Sequence, residues 1–199
     1  MRATVVILTK LPGHLPVKTR LQPLLGEQGA IDFHLQALRE TIELAHAFDE
    51  EPVVATSPVD ADPAAALGAL PRARLMPIEG DDGAVCLENA LAAVHADRPL
   101  VALGADAPDL PKGRIEQGLD LLKWFDAVMA PTRDGGFSCL ILREPIPGLA
   151  EGFTYGDDGA FASLVKWLDR RGRSVGQLDP WNDIDTPEDY KAYLARRNG

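Results

Sequence analysis

Apolar positions along the chain fall into short unbroken runs that alternate with helical spacings. Thr4 to Leu8 is a continuous apolar, β-branched run, the pattern of a strand buried on both faces. After a loop rich in proline and glycine, Ile31, Leu35, Leu38, Ile42 and Ala45 recur at spacings of four and three. That spacing predicts an amphipathic helix over about 27–46. Glu51 to Ala55 reads as the next strand, the alanine-rich stretch 62–68 as a short helix, and Arg74 to Ile78 as a strand. Leu87, Leu91 and Val94 mark one face of a further helix. Pro99 to Gly104 is again short and apolar, and a helix runs from near Pro111 to about Lys123.

Strict alternation of this kind implies right-handed crossovers in a doubly wound, mostly parallel sheet covered by helices on both sides. In such a sheet ligands gather beyond the carboxyl ends of the strands. Ala127 to Ala130 and Phe137 to Leu142 form two strands joined by Arg133-Asp134-Gly135-Gly136, a hairpin signal that adds one antiparallel strand. A helix at 158–171, a strand at 174–178, the segment Trp181 to Asp185 and a last helix complete the chain. That helix has a clear start, with Thr186 as N-cap, Pro187 at its first position and Glu188 and Asp189 near the positive end of the dipole. With 199 residues and no repeat or linker, the chain reads as a three-layer α/β/α fold in one domain, 1–199.

Composition narrows the function. No apolar run reaches the roughly 18–20 residues that a membrane span needs, and no signal peptide is evident. Cys86 and Cys139 lie far apart and in no metal or redox spacing, which reads as two thiols in a reducing cytoplasm. The formal net charge of −10 argues against nucleic acid or an anionic membrane as partner. Yet residues 1–26 hold Arg2, Lys10, Lys18 and Arg20 and no acid. A cationic loop on an acidic protein points to a specific anionic ligand.

Four segments could carry chemistry. The loop from Thr9 to Arg20 follows the first strand, so Lys10, Lys18 and Arg20 face the ligand crevice and suit phosphate oxygens; the other reading is a solvated basic loop. It is not a P-loop, because Val17 rather than glycine precedes Lys18, and Pro16 removes an amide. Asp106, between Ala105 and Ala107 at the end of the fourth strand, is a candidate ligand for a hard cation; Asp109 is either a second acid or a helix N-cap. In Trp181-Asn182-Asp183-Ile184-Asp185-Thr186, an extended backbone would send Asp183 and Asp185 to one face and Ile184 into the core. Two carboxylates on one side repel unless a cation such as Mg²⁺ or Mn²⁺ lies between them, or unless both are solvated. Asp134, in the glycine turn, is either a backbone device or an acceptor's base. His34, His46 and His95 fall in predicted helices and only His14 in the site loop, with no metal-ligand spacing and no nucleophile elbow.

Taken in order, four motifs resemble the bacterial GT-A-fold, glycosyltransferase-like (nucleotide-diphospho-sugar-transferase-like) proteins. They are Val17-Lys18-Thr19-Arg20-Leu21, Gly104-Ala105-Asp106-Ala107-Pro108-Asp109-Leu110-Pro111, Asp134-Gly135-Gly136-Phe137, and Trp181 to Asp189. The first and last also look like those of the 2-phospholactate guanylyltransferases. Departures are Ala105 and Ala107 in place of Thr and Ser, Phe137 in place of Tyr, and Val85-Cys86 where an arginine would follow the Gly80-Asp81-Asp82-Gly83 loop. The resemblance implies a divalent-metal-dependent glycosyltransferase acting on a nucleotide-diphospho-sugar and a small-molecule acceptor. Asp106, Asp183 and Asp185 would hold the metal, and Lys10, Lys18, Arg20 and Asp106 the nucleotide. Lys18 and Arg20 would stabilise phosphate charge, with Asp134 as base. The alternatives are nucleotidyl transfer from a triphosphate to a small phosphorylated acceptor, and nucleotide binding without turnover. The sequence fixes neither base, sugar nor oligomeric state.

Overall fold

Short β-branched runs become strands here because helices close over both faces of the sheet, so in its central strands most side chains are buried whichever way they point. The computed structural model describes residues 2–80, 82–94 and 97–198; Asp81 and His95 lie outside them. Seven strands form one sheet: β1 (Thr4–Lys10), β2 (Val53–Ser57), β3 (Arg74–Pro77), β4 (Leu100–Gly104), β5 (Ala127–Pro131), β6 (Phe137–Leu142) and β7 (Val175–Gln177). Their order is β3-β2-β1-β4-β6-β5-β7, and only β6 runs antiparallel, against both β4 and β5. The helices are α1 (Gln22–Ala45), α2 (Pro63–Leu67), α3 (Gly83–Ala92), α4 (Lys112–Leu121), α5 (Ala160–Arg170) and α6 (Pro187–Asn198).

Alternate residues of the strands feed two cores. Val5, Ile7, Val101, Leu103, Val128 and Ile141 pack with Leu38 and Ile42 of α1 and Ile115 and Leu119 of α4. Val6, Leu100, Ala102, Met129 and Leu140 pack on the other face with Leu87 and Leu91 of α3 and Leu164 and Leu168 of α5. A third cluster, in which Leu21, Phe33 and Ala37 meet Ile184 and Tyr193, seats α6 against α1.

Several boundaries differ from the sequence reading. The second strand starts at Val53 rather than Glu51, since Glu51 stays exposed and pairs with Arg72. The α1 stripe is rotated: Leu38, Ile42 and Ala45 are buried as expected, but Phe33, His34, Ala37 and Thr41 join them while Ile31 and Leu35 stay partly exposed. The first turn of α1 is set off by Gly26, whose φ of +72° breaks the helical path. Cys86 and Cys139 form no disulfide, and no helix is long and apolar enough to cross a membrane.

Candidate functional site

A cleft of about 670 Å³ opens beyond the carboxyl ends of β1, β2 and β4. Thr9 and Lys10 extend from β1, Thr56 and Ser57 from β2, and Ala105 and Asp106 from β4; the loop 11–20 forms the outer wall with Lys18 and Arg20. The register explains this convergence: Leu8 lies opposite both Ala55 and Gly104, so the three strands end at one level.

The loop is held at both ends. Its first residue donates from the Leu11 amide to the Ser57 carbonyl at 2.9 Å, and Val17 and Leu21 are buried. Between those anchors Lys18 adopts φ +45°, the one left-handed non-glycine residue described. Such a conformation costs an L-residue on the order of 1–2 kcal/mol and persists only where other contacts fix it. The contacts are plain: the Lys18 ammonium donates to Asp106 at 2.6 Å, to Asp185 at 2.9 Å and to the Ile184 carbonyl at 2.8 Å, and its side chain is 2% exposed. Burial alone would lower the ammonium's pKa, but Asp106 and Asp185 outweigh it and hold Lys18 above its ordinary value. Lys18 in turn outweighs the burial of Asp106 and keeps that carboxyl below the usual range.

The carboxy-terminal acids reach this point through three ties. Ile184 is fully buried, and its amide donates to the Asp106 carbonyl at 2.8 Å, so Asp183 and Asp185 flank a fixed residue. Thr186 and Asp189 form a reciprocal capping pair at the start of α6, the Asp189 amide donating to Thr186 Oγ1 at 3.2 Å and the Thr186 amide to Asp189 Oδ2 at 2.9 Å. Asp109 makes the third tie. It is not the N-cap of α4, a place taken by Pro111 without a side-chain cap. Lying two residues too early, it accepts from Trp181 Nε1 at 3.2 Å and Arg196 Nε at 2.7 Å, and so pins the segment down. Asp183 forms no ion pair among the described residues: burial, with Asp106 and Asp185 close by, outweighs the more distant Lys18 and pushes its carboxyl up to about 8.

Asp134 lies in the β5–β6 turn and lines a smaller neighbouring compartment rather than this cleft; there it accepts from the Thr132 hydroxyl and the Gly136 amide. Gly135 has φ +87°, and a Cβ there would meet the Asp158 carbonyl at 1.6 Å. Gly135→Ala is therefore expected to cost more than about 2 kcal/mol, because strain and a backbone clash add. Denaturant unfolding of the variant measures it.

Sequence reasoning missed His34. Its ring, 4% exposed, lies on the floor of the cleft with Nε2 at 3.1 Å from the Lys10 carbonyl and 3.0 Å from Thr9 Oγ1, and burial lowers its pKa. The carbonyl can only accept, so Nε2 carries the proton, and the ring fixes the end of β1. A histidine inside an otherwise apolar stripe, between Phe33 and Ala37, was the available signal. Thr56 was also missed; its hydroxyl, buried at the cleft, has no hydrogen-bond partner among the described residues. His14 is exposed and does not line the cleft.

Residues 41–157 match a family described as an uncharacterized protein conserved in bacteria (DUF2064). No curated protein matches the chain. A Desulfovibrio desulfuricans G20 protein, provisionally described as a nucleotide-diphospho-sugar transferase, has a similar structure with a TM-score of 0.85 at 26% identity, covering 100% of this chain and 88% of that one. Rv0371c of Mycobacterium tuberculosis H37Rv gives 0.61 at 23%, covering 98% and 99%, and has also been solved in complex with manganese. The 4-diphosphocytidyl-2C-methyl-D-erythritol synthase of Anaerococcus prevotii DSM 20548 gives 0.63 at 14%, covering 99% and 97%. The fold is thus that of the nucleotide-diphospho-sugar transferases and nucleotidyltransferases, proteins that use nucleotides in group transfer.

Proposed function

The chain belongs to the DUF2064 family, and from that premise we propose that it is a divalent-metal-dependent transferase whose donor is a nucleotide-diphospho-sugar. One observation carries the reading: a cleft at the strand ends has three acids at one end, Asp106, Asp183 and Asp185, and cations along its wall.

The acids fit a hard divalent ion in kind, since all three offer carboxylate oxygens, and in charge, since the Asp183 carboxyl forms no ion pair among the described residues and is pushed up to about 8. They do not form a closed cage. Among the described residues no group of three His, Cys, Asp or Glu side chains stands ready to hold a metal, because Lys18 lies between Asp106 and Asp185. Mg²⁺ or Mn²⁺ would therefore be held by these acids jointly with the donor's diphosphate and water. When bound, the ion would supply positive charge that neutralises the leaving diphosphate.

The protein's own groups divide the remaining work. Lys18 keeps Asp106 ionised and holds Asp106 and Asp185 in place. Lys10 and Arg20 are exposed at the cleft and form no ion pair among the described residues, which leaves them available to phosphate oxygens. Their charge is set in place before reaction, so it stabilises negative charge that grows as the sugar–phosphate bond breaks. Asp134 is the candidate base for the acceptor.

Product analysis with a panel of nucleotide sugars and Mn²⁺ tests the proposal. Release of nucleoside diphosphate, lost on chelation, is the expected result. Release of pyrophosphate from a triphosphate instead would move the reading to nucleotidyl transfer.

A further inference from the structure

Past Asp106, Asp185 and Tyr155 the cleft continues into a second compartment of about 200 Å³. Its lining is more acidic than that of the first, where Lys10, Lys18 and Arg20 stand beside Asp82, Asp106 and Asp185. Leu87, Phe137 and Phe153 give the second compartment apolar walls, Asp134, Asp157 and Asp183 line it, and among the described residues no lysine, arginine or histidine does. Arg133, at the same turn as Asp134, is exposed and outside the lining. Even with Lys18 and a divalent ion balancing Asp106, Asp183 and Asp185, the charges of Asp134 and Asp157 remain.

A second observation marks the compartment as a place for a polar ligand. Ser138 is 4% exposed, and its Oγ has no hydrogen-bond partner among the described residues. On β6 it shares the face of Leu140 and Leu142, the face against which Leu87, Ala102 and Phe153 pack, so the hydroxyl is directed to the compartment it lines. A buried hydroxyl is ordinarily satisfied; here a ligand oxygen or nitrogen would satisfy it.

We infer that this compartment holds the acceptor, and that the acceptor is a small hydroxyl- or amine-bearing molecule, or one end of a larger one, carrying no phosphate or carboxylate. The inference rests on the transferase reading above and adds the acceptor's charge class. A phosphorylated acceptor would bring two negative charges against the exposed carboxylates of Asp134 and Asp157 and the acids deeper in the compartment, and like charges repel. In the transfer, the acceptor oxygen or nitrogen bonds to the sugar's anomeric carbon. The bond from that carbon to the diphosphate oxygen breaks, the diphosphate leaves with the electron pair, and the acceptor's proton passes to Asp134. The volume, below the usual range for a whole drug-sized ligand, suits a small group.

Three probes with one skeleton separate the charges: glycerol, 3-amino-1,2-propanediol and glycerol 3-phosphate. With methyl-labelled protein in NMR titrations, Leu87, Ala102 and Ala160 report the small compartment and Ala55 and Ile78 the large one. The first two probes should move the small-compartment methyls at concentrations at least tenfold below glycerol 3-phosphate. Asp157→Lys, at an exposed position, should narrow that gap. Equal or tighter binding of glycerol 3-phosphate to the unaltered protein would overturn the inference, as would three probes that leave these methyls unmoved. A separate titration with a panel of adenine, guanine, cytosine and uracil nucleoside diphosphates and Mg²⁺ reads Ala55 and Ile78. If those stay still, the donor reading fails independently of the acceptor result.

Discussion

Lys18→Met is expected to destabilise the protein by about 2–4 kcal/mol at pH 7, the scale for removing one partner of a buried, hydrogen-bonded charge group. The ammonium is 2% exposed and serves Asp106, Asp185 and the Ile184 carbonyl together. Its loss leaves two carboxylates facing each other and Asp183, with no cation among them. The pH dependence has a definite sign. Lys18 holds Asp106 below its ordinary pKa in the folded state, so the pairing contributes stability above the unfolded carboxylate value near 4 and loses it as pH falls through the lower folded value. The gap between the native protein and Lys18→Met should therefore be wide at pH 7 and shrink towards pH 3. Urea unfolding at both pH values measures it. A variant as stable as the native protein at pH 7 would remove Lys18 from its central place. Added Mn²⁺ should stabilise the variant more than the native chain, because a second cation then fills a larger deficit.

Asp183→Asn should move stability the other way. The Asp183 carboxyl, pushed up to about 8 in the fold by burial and by Asp106 and Asp185, releases its proton near 4 when unfolded. Between those values the unfolded state binds fewer protons, so the native protein loses stability as pH rises from about 4 to about 8. Asn cannot ionise and escapes the loss. The variant should be more stable than the native protein by about 1–3 kcal/mol at pH 8, with the difference vanishing near pH 4. The gain should come with a loss: metal-dependent stabilisation by a nucleoside diphosphate should disappear, the familiar trade of stability against function at a charged site. Thermal unfolding with and without Mn²⁺ and uridine diphosphate reads both effects. A variant that is less stable at pH 8, or one that keeps the metal-dependent shift, would show that Asp183 is an ordinary solvated acid.

The sheet was legible because its signals are local. Thr4 to Leu8, Pro99 to Gly104 and the Asp134-Gly135-Gly136 hairpin each announce an element within a few residues, and alternation then leaves few topologies. The inward turn of Ile184 between Asp183 and Asp185 was equally readable from the period of two. Contacts between distant segments were not. Lys18 reads as one more loop cation in sequence, and nothing in its neighbours says that its ammonium is buried against acids 88 and 167 residues away. Asp109 looks like a helix cap because an acid before Pro111 usually is one; its actual partners, Trp181 and Arg196, come from the far end of the chain. His34 escaped notice because a helix stripe assigned on Ile31 and Leu35 is rotated by the packing of Phe33 against Tyr190 and Tyr193. The close approach of Gly135 to Asp158 has no sequence signal beyond the glycine itself.

The most direct measurement is a crystal structure with uridine diphosphate and Mn²⁺, the metal located by its anomalous scattering. The account predicts one Mn²⁺ within ~2–2.5 Å of an Asp183 oxygen and of the diphosphate, with phosphate oxygens against Lys10 or Arg20. Manganese bound away from Asp106, Asp183 and Asp185, or a diphosphate seated outside the cleft between them and the 11–20 loop, would contradict it.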